Sequence, residues 1–73
     1  MNTKNILREL NKNISHQTSY KPYIFNEDTI KIKSEHRRHH FTDIIINKIN
    51  KFCQFKGLSF GFIENELYIS ENL

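Results

Sequence analysis

The sequence predicts a small single α+β domain spanning residues 1–73 in the order α-β-β-α-β-β. It reads as a four-stranded antiparallel sheet with one long helix packed on one face and a short N-terminal helix. Three observations carry this. Two stretches place apolar residues at helical spacing, two others alternate apolar and polar residues, and a serine and a glycine bracket the longer helical stretch.

The first helix is expected over Thr3 to Asn13, where Ile6, Leu7, Leu10 and Ile14 fall within an arc of about 100°. Residues 15–22 are polar and aperiodic and read as a connector. A first hairpin follows over residues 23–33. Tyr23 and Phe25 flank Ile24, while Ile30 and Ile32 alternate with Lys31 and Lys33. A loop of Asn26, Glu27, Asp28 and Thr29 would set Phe25 opposite Ile30 and Tyr23 opposite Ile32, with Tyr23 on the core face.

The long helix is expected over residues 35–56, with Ser34 as N-cap and Gly57 just past its end. Its apolar residues Phe41, Ile44, Ile45, Ile46, Ile49, Phe52, Cys53 and Phe55 cover about 200° of arc, roughly twice what one packing contact needs. The sheet is one partner; the N-terminal helix or a second copy of the chain is the other. At about 33 Å such a helix would overhang a six-residue strand of about 20 Å. The overhang would be its polar beginning, residues 35–40.

The second hairpin is expected over residues 58–70. A two-residue turn at Glu64 and Asn65 pairs Ile63 with Glu66, Phe62 with Leu67, Gly61 with Tyr68 and Phe60 with Ile69. That register gathers Phe60, Phe62, Leu67 and Ile69 on one face, and a one-residue slip would scatter them. Tyr68 would then cover the bare backbone of Gly61.

Size and composition bound the function. A domain of 73 residues buries only about 60% of its unfolded surface, so its stability margin is thin. The lone Cys53 rules out an internal disulfide and a cysteine-based zinc framework. No apolar run approaches the roughly 20 residues of a membrane span, and MNTKNILREL lacks the apolar core of a secretory signal. A cytoplasmic, intracellular protein with no membrane contact is the expectation. Heavy use of Asn, Ile and Lys without any Ala points to an AT-rich coding genome.

The net charge of +3 is unevenly spread. Residues 1–56 hold all eleven Lys and Arg against five carboxylates, whereas residues 57–73 hold only Glu64, Glu66 and Glu71. Within the basic part, His36, Arg37, Arg38, His39 and His40 stand out. On the expected helix, Arg37 and Arg38 would face the positive end of the macrodipole, so stability does not explain them. Free amides at a helix start together with Arg side chains suit a phosphate.

The leading expectation is therefore a small, non-enzymatic nucleic-acid-binding protein, in the manner of a regulator. It would contact phosphates through Arg37, Arg38, His36 and His40, with Lys31 and Lys33 on the preceding strand. The alternative is a protein-binding adaptor or inhibitor of the phage or mobile-element type, acting through exposed Ile24, Ile63 and Tyr68 and in one form a homodimer. His36, His39, His40 and Asp43 have metal-ligand chemistry, but two His on one turn arise readily by chance, and neither a metal nor a cofactor is expected. No catalytic residue is expected either, since there is no phosphate-binding glycine loop and no placed acid–base pair.

Overall fold

In a computed structural model, which describes residues 2–14, 20–34, 41–64 and 66–71, the element order is the expected one. Helix α1 is Thr3–Asn13, strand β1 Tyr20–Asn26, strand β2 Thr29–Ser34, helix α2 Asp43–Lys56, strand β3 Ser59–Ile63 and strand β4 Glu66–Ser70. The strands form one antiparallel sheet in the order β1-β2-β4-β3, so the two hairpins join through β2 and β4.

Helix α1 starts where the Asn2 side chain accepts a hydrogen bond from the Asn5 amide at 3.3 Å. Leu10 and Ile14 point from it into the core, and the buried Thr3 hydroxyl donates to the Glu27 carbonyl at the tip of the first hairpin. Helix α2 ends in a Schellman arrangement: Leu58 N donates to Cys53 O at 2.8 Å, and Gly57 N to Gln54 O at 3.4 Å. Gly57 adopts φ +70°, the left-handed conformation that suits a residue without Cβ.

The start of α2 differs from expectation. Ser34 is not its N-cap but the buried last residue of β2, paired with Tyr20. The cap is Thr42, whose hydroxyl accepts from Ile45 N at 3.4 Å, and Asp43 sits in the first turn. Electrostatics explains the later start, because a carboxylate is favoured where Arg and His cations are not. At 14 residues the helix is about 21 Å long, comparable to a strand, and residues 35–40, the expected overhang, lie outside the described residues.

The first hairpin is also in a different register. Its turn is the two-residue Glu27-Asp28, and the Asn26 side chain accepts from Asp28 N at 2.9 Å. Tyr23 pairs with Lys31 and Ile24 with Ile30, one position from the expected pairing, and a bulge at Phe25 brings Asn26 opposite Thr29. The strand also starts earlier than expected, at Tyr20. In the second hairpin all four expected pairs form, and Ser59 adds a fifth with Ser70.

One face of the sheet is the core. Ile30, Ile32, Leu67 and Ile69 are each 0% exposed and meet Leu10 and Ile14 of α1 and Ile45, Ile49, Phe52 and Cys53 of α2. Helix α1 lies against β1 and β2, and α2 lies against α1 and β3. The wide apolar arc of α2 thus has both of its expected kinds of partner, yet Ile44 and Phe55 remain 64% and 85% exposed. Eleven residues apart on a helix, they lie on nearly the same side. No helix among the described residues is long and apolar enough to cross a membrane.

Candidate functional site

Because β-strand side chains alternate, the residues between the buried isoleucines and leucine must point the other way. On that second face the central strands place Lys31 directly opposite Tyr68. Strand β1 sets Tyr23 opposite Lys31 and Lys21 opposite Lys33, and the bulge turns Phe25 onto the same side. Among the described residues no helix covers this face.

Its centre is a cation held among rings. Lys31 Nζ lies 4.0 Å from the Phe25 ring centroid, 4.8 Å from that of Tyr68 and 3.2 Å from Glu66 Oε2. Phe25 and Tyr68 meet edge to face, with centroids 6.1 Å apart. The Tyr68 hydroxyl and the Glu66 carboxylate hold the Lys31 ammonium above its ordinary pKa against the opposing effect of desolvation, so it stays charged throughout the physiological range. Around this centre lie Tyr23, 38% exposed, and Lys33, with Ile63 on β3.

The expected site residues separate into groups. Lys31, Lys33 and Tyr68 come together on this open face, joined by Ile63 at its rim. Ile24 is exposed but does not join them, because its register with Ile30 puts it on the helix side. The expected patch of Ile24, Ile63 and Tyr68 is therefore split between two faces by the shifted register of the first hairpin. Arg37, Arg38, His36, His39 and His40 lie outside the described residues, and the helix start they were expected to form is made by Thr42 and Asp43. Among the described residues no three His, Cys, Asp or Glu gather as metal ligands.

Tyr23 and Phe25 are the members of the face that sequence reasoning placed wrongly. The signal for them was Asn26, a residue type whose side chain closes an Asx turn two residues on and so shortens the loop. Tyr68 does not cover Gly61 as expected: a Cβ added at Gly61 would meet nothing within 4 Å. Its ring turns toward Phe25 and Lys31 instead.

At the other end of the molecule Tyr20 and Phe41 pack with centroids 5.2 Å apart, and Phe41 meets Phe62 edge to face at 5.3 Å. The Tyr20 hydroxyl accepts from Thr42 N at 3.2 Å. Ser34, the last residue of β2, and Phe41 are both buried. No protein-family model matches the chain, and neither curated proteins nor solved structures give a match.

Proposed function

We propose that the protein is a non-enzymatic binder of single-stranded nucleic acid that uses the open face of its sheet. The carrying observation is the cluster of Phe25, Lys31 and Tyr68, with Tyr23 and Lys33 beside it. Aromatic rings on an exposed sheet stack unpaired bases at about 1–3 kcal/mol each, and ammonium groups among them follow the phosphates. Glu66 partly neutralises Lys31 and so limits the affinity. Arg37, Arg38, His36 and His40 directly follow β2 in sequence and add further cations to the same reading.

Fluorescence anisotropy with labelled single-stranded DNA and RNA tests this. Binding should weaken steeply with salt, and Phe25→Ala or Tyr68→Ala should reduce it about 10-fold. Arg37→Ala with Arg38→Ala should lower the salt slope by about 2 if both contact phosphates. Absence of binding at low salt, or full affinity in the Phe25→Ala and Tyr68→Ala variants, overturns the reading.

The second reading, a protein-binding adaptor or inhibitor, is supported by the exposure of Ile44 and Phe55 on one side of α2. An Ile44→Ser, Phe55→Ser double variant should then lose a co-purifying partner that wild type retains. An unchanged set of partners would remove this support.

A further inference from the structure

The two edges of the sheet are built differently. Strand β1 carries Pro22 and the bulge at Phe25, and both features hinder the addition of another strand. Strand β3, at the opposite edge, is Ser-Phe-Gly-Phe-Ile, with no proline, no charge and an unbroken register. Its Phe62 and Ile63 are 47% and 52% exposed, one on each face. By the usual logic of edge protection, β3 is an open edge among the described residues.

Its backbone polarity narrows what can pair there. Ile63 and Glu66 close a two-residue turn and so exchange both their backbone hydrogen bonds, as do the alternate pairs Gly61–Tyr68 and Ser59–Ser70. The N–H and C=O groups of Phe60 and Phe62 therefore point away from β4.

We propose that β3 is a homodimerisation strand, pairing antiparallel with β3 of a second copy about a twofold axis at Gly61. This register is self-complementary. Phe60 of each copy faces Phe62 of the other, and these are the residues whose backbone groups point outward, so both pairs can form their hydrogen bonds. Each Phe60–Phe62 pair is also an aromatic cross-strand contact on the helix side. Ser59 faces Ile63, and all five residues of the strand are used.

Charge favours the same occupant. An antiparallel pair sets Glu64, in the turn of one copy, beside the end of α2 in the other, which carries Lys51 and Lys56; within each chain Lys56 is also paired with Glu9, and Glu66 with Lys31. Glu64 of one copy thus meets the cationic end of α2 in the other. The product is a continuous eight-stranded sheet whose open faces lie on the same side. The inference is independent of nucleic-acid binding, because the oligomeric state is measured without ligand.

Gly61 supplies the test. At the dyad it faces its own copy across a non-hydrogen-bonded pair, where Cα atoms are about 4.5 Å apart and a disulfide fits. In the single chain a Cβ there meets nothing within 4 Å, so substitution leaves the fold intact. Analytical ultracentrifugation of the full chain should give a concentration-dependent doubling of mass. Gly61→Glu, which sets two carboxylates face to face, should sediment as a monomer with an unchanged circular dichroism spectrum. Gly61→Cys should form a covalent dimer under mild oxidation, whereas Glu27→Cys, at the tip of the first hairpin, should not. The native Cys53 is buried, and burial pushes its thiol pKa up to about 11, so it does not compete. A wild type that stays monomeric at every concentration, a Gly61→Glu variant that still dimerises, or equal cross-linking of the two cysteine variants overturns the proposal.

Discussion

The two faces of the sheet are made by the same strands and differ in almost every physical respect. In β2 and β4, Ile30, Ile32, Leu67 and Ile69 are fully buried beneath two helices, while Lys31 and Tyr68 stand between them on a face that no helix among the described residues covers. Aliphatic residues with no polar atoms fill one side; rings, ammonium groups and a carboxylate occupy the other. The alternation of side chains lets one strand carry the core at even positions of β2 and the proposed binding face at odd ones. Substitutions on one face should therefore unfold the protein, and those on the other should change only what it binds.

The largest effect is expected from Leu67→Ala. A buried leucine cut to alanine costs about 2–5 kcal/mol, which is close to the total a core of this size supplies. Urea denaturation followed by circular dichroism should show the variant largely unfolded without denaturant. A stable Leu67→Ala protein would mean that the inner face is not the source of stability.

A smaller, pH-dependent effect belongs to Cys53, also buried against that face. Its thiol is pushed from 9.0 to about 11 by desolvation, so the folded state holds its proton more tightly than the unfolded chain. The corresponding stability is fully present below pH 9.0 and is lost as pH rises toward about 11. Urea midpoints for wild type and Cys53→Ala should converge over that interval. Parallel curves would show that the thiol is not desolvated.

The smallest change in stability is expected on the outer face. Phe25→Ala and Tyr68→Ala should each shift unfolding by no more than about 1 kcal/mol, because their rings pack on a surface rather than in the core. A loss as large as that of Leu67→Ala would make the aromatic cluster a second core and erase the distinction between the faces.

What was legible in the sequence follows the same line between one-sided and two-sided burial. In the second hairpin the buried residues lie on one face only, so a slip of one residue would have exposed them, and its register could be read in full. In β1, Tyr23, Ile24 and Phe25 are consecutive and large, so burial alone did not choose a face; the turn chemistry of Asn26 did. The end of α2 was legible from Gly57 because a positive φ has few suitable residues. Its start was not, because Ser34 and Thr42 are both good caps; Asp43 beside the latter and the onset of apolar residues at Phe41 were the deciding signals. Strand order needed the tertiary pairing of β2 with β4, which no local pattern encodes. As a result Lys31 and Tyr68 stood out in the sequence as candidate residues of two different surfaces, nucleic-acid and protein, and not as neighbours.

That β2–β4 pairing also sets an order of events in time. Each hairpin closes over a two-residue turn, a local process, whereas bringing Ile30 beside Ile69 spans more than half the chain and carries the greater loop-closure entropy. The joining of two preformed hairpins is then the expected slow step of folding, with residues at the seam in its transition state. In stopped-flow measurements Ile32→Val should chiefly slow folding, while Thr42→Ala at the helix cap should chiefly speed unfolding. The seam that places a lysine beside a tyrosine on the proposed binding face is thus also the place where two halves of the molecule would commit to being one.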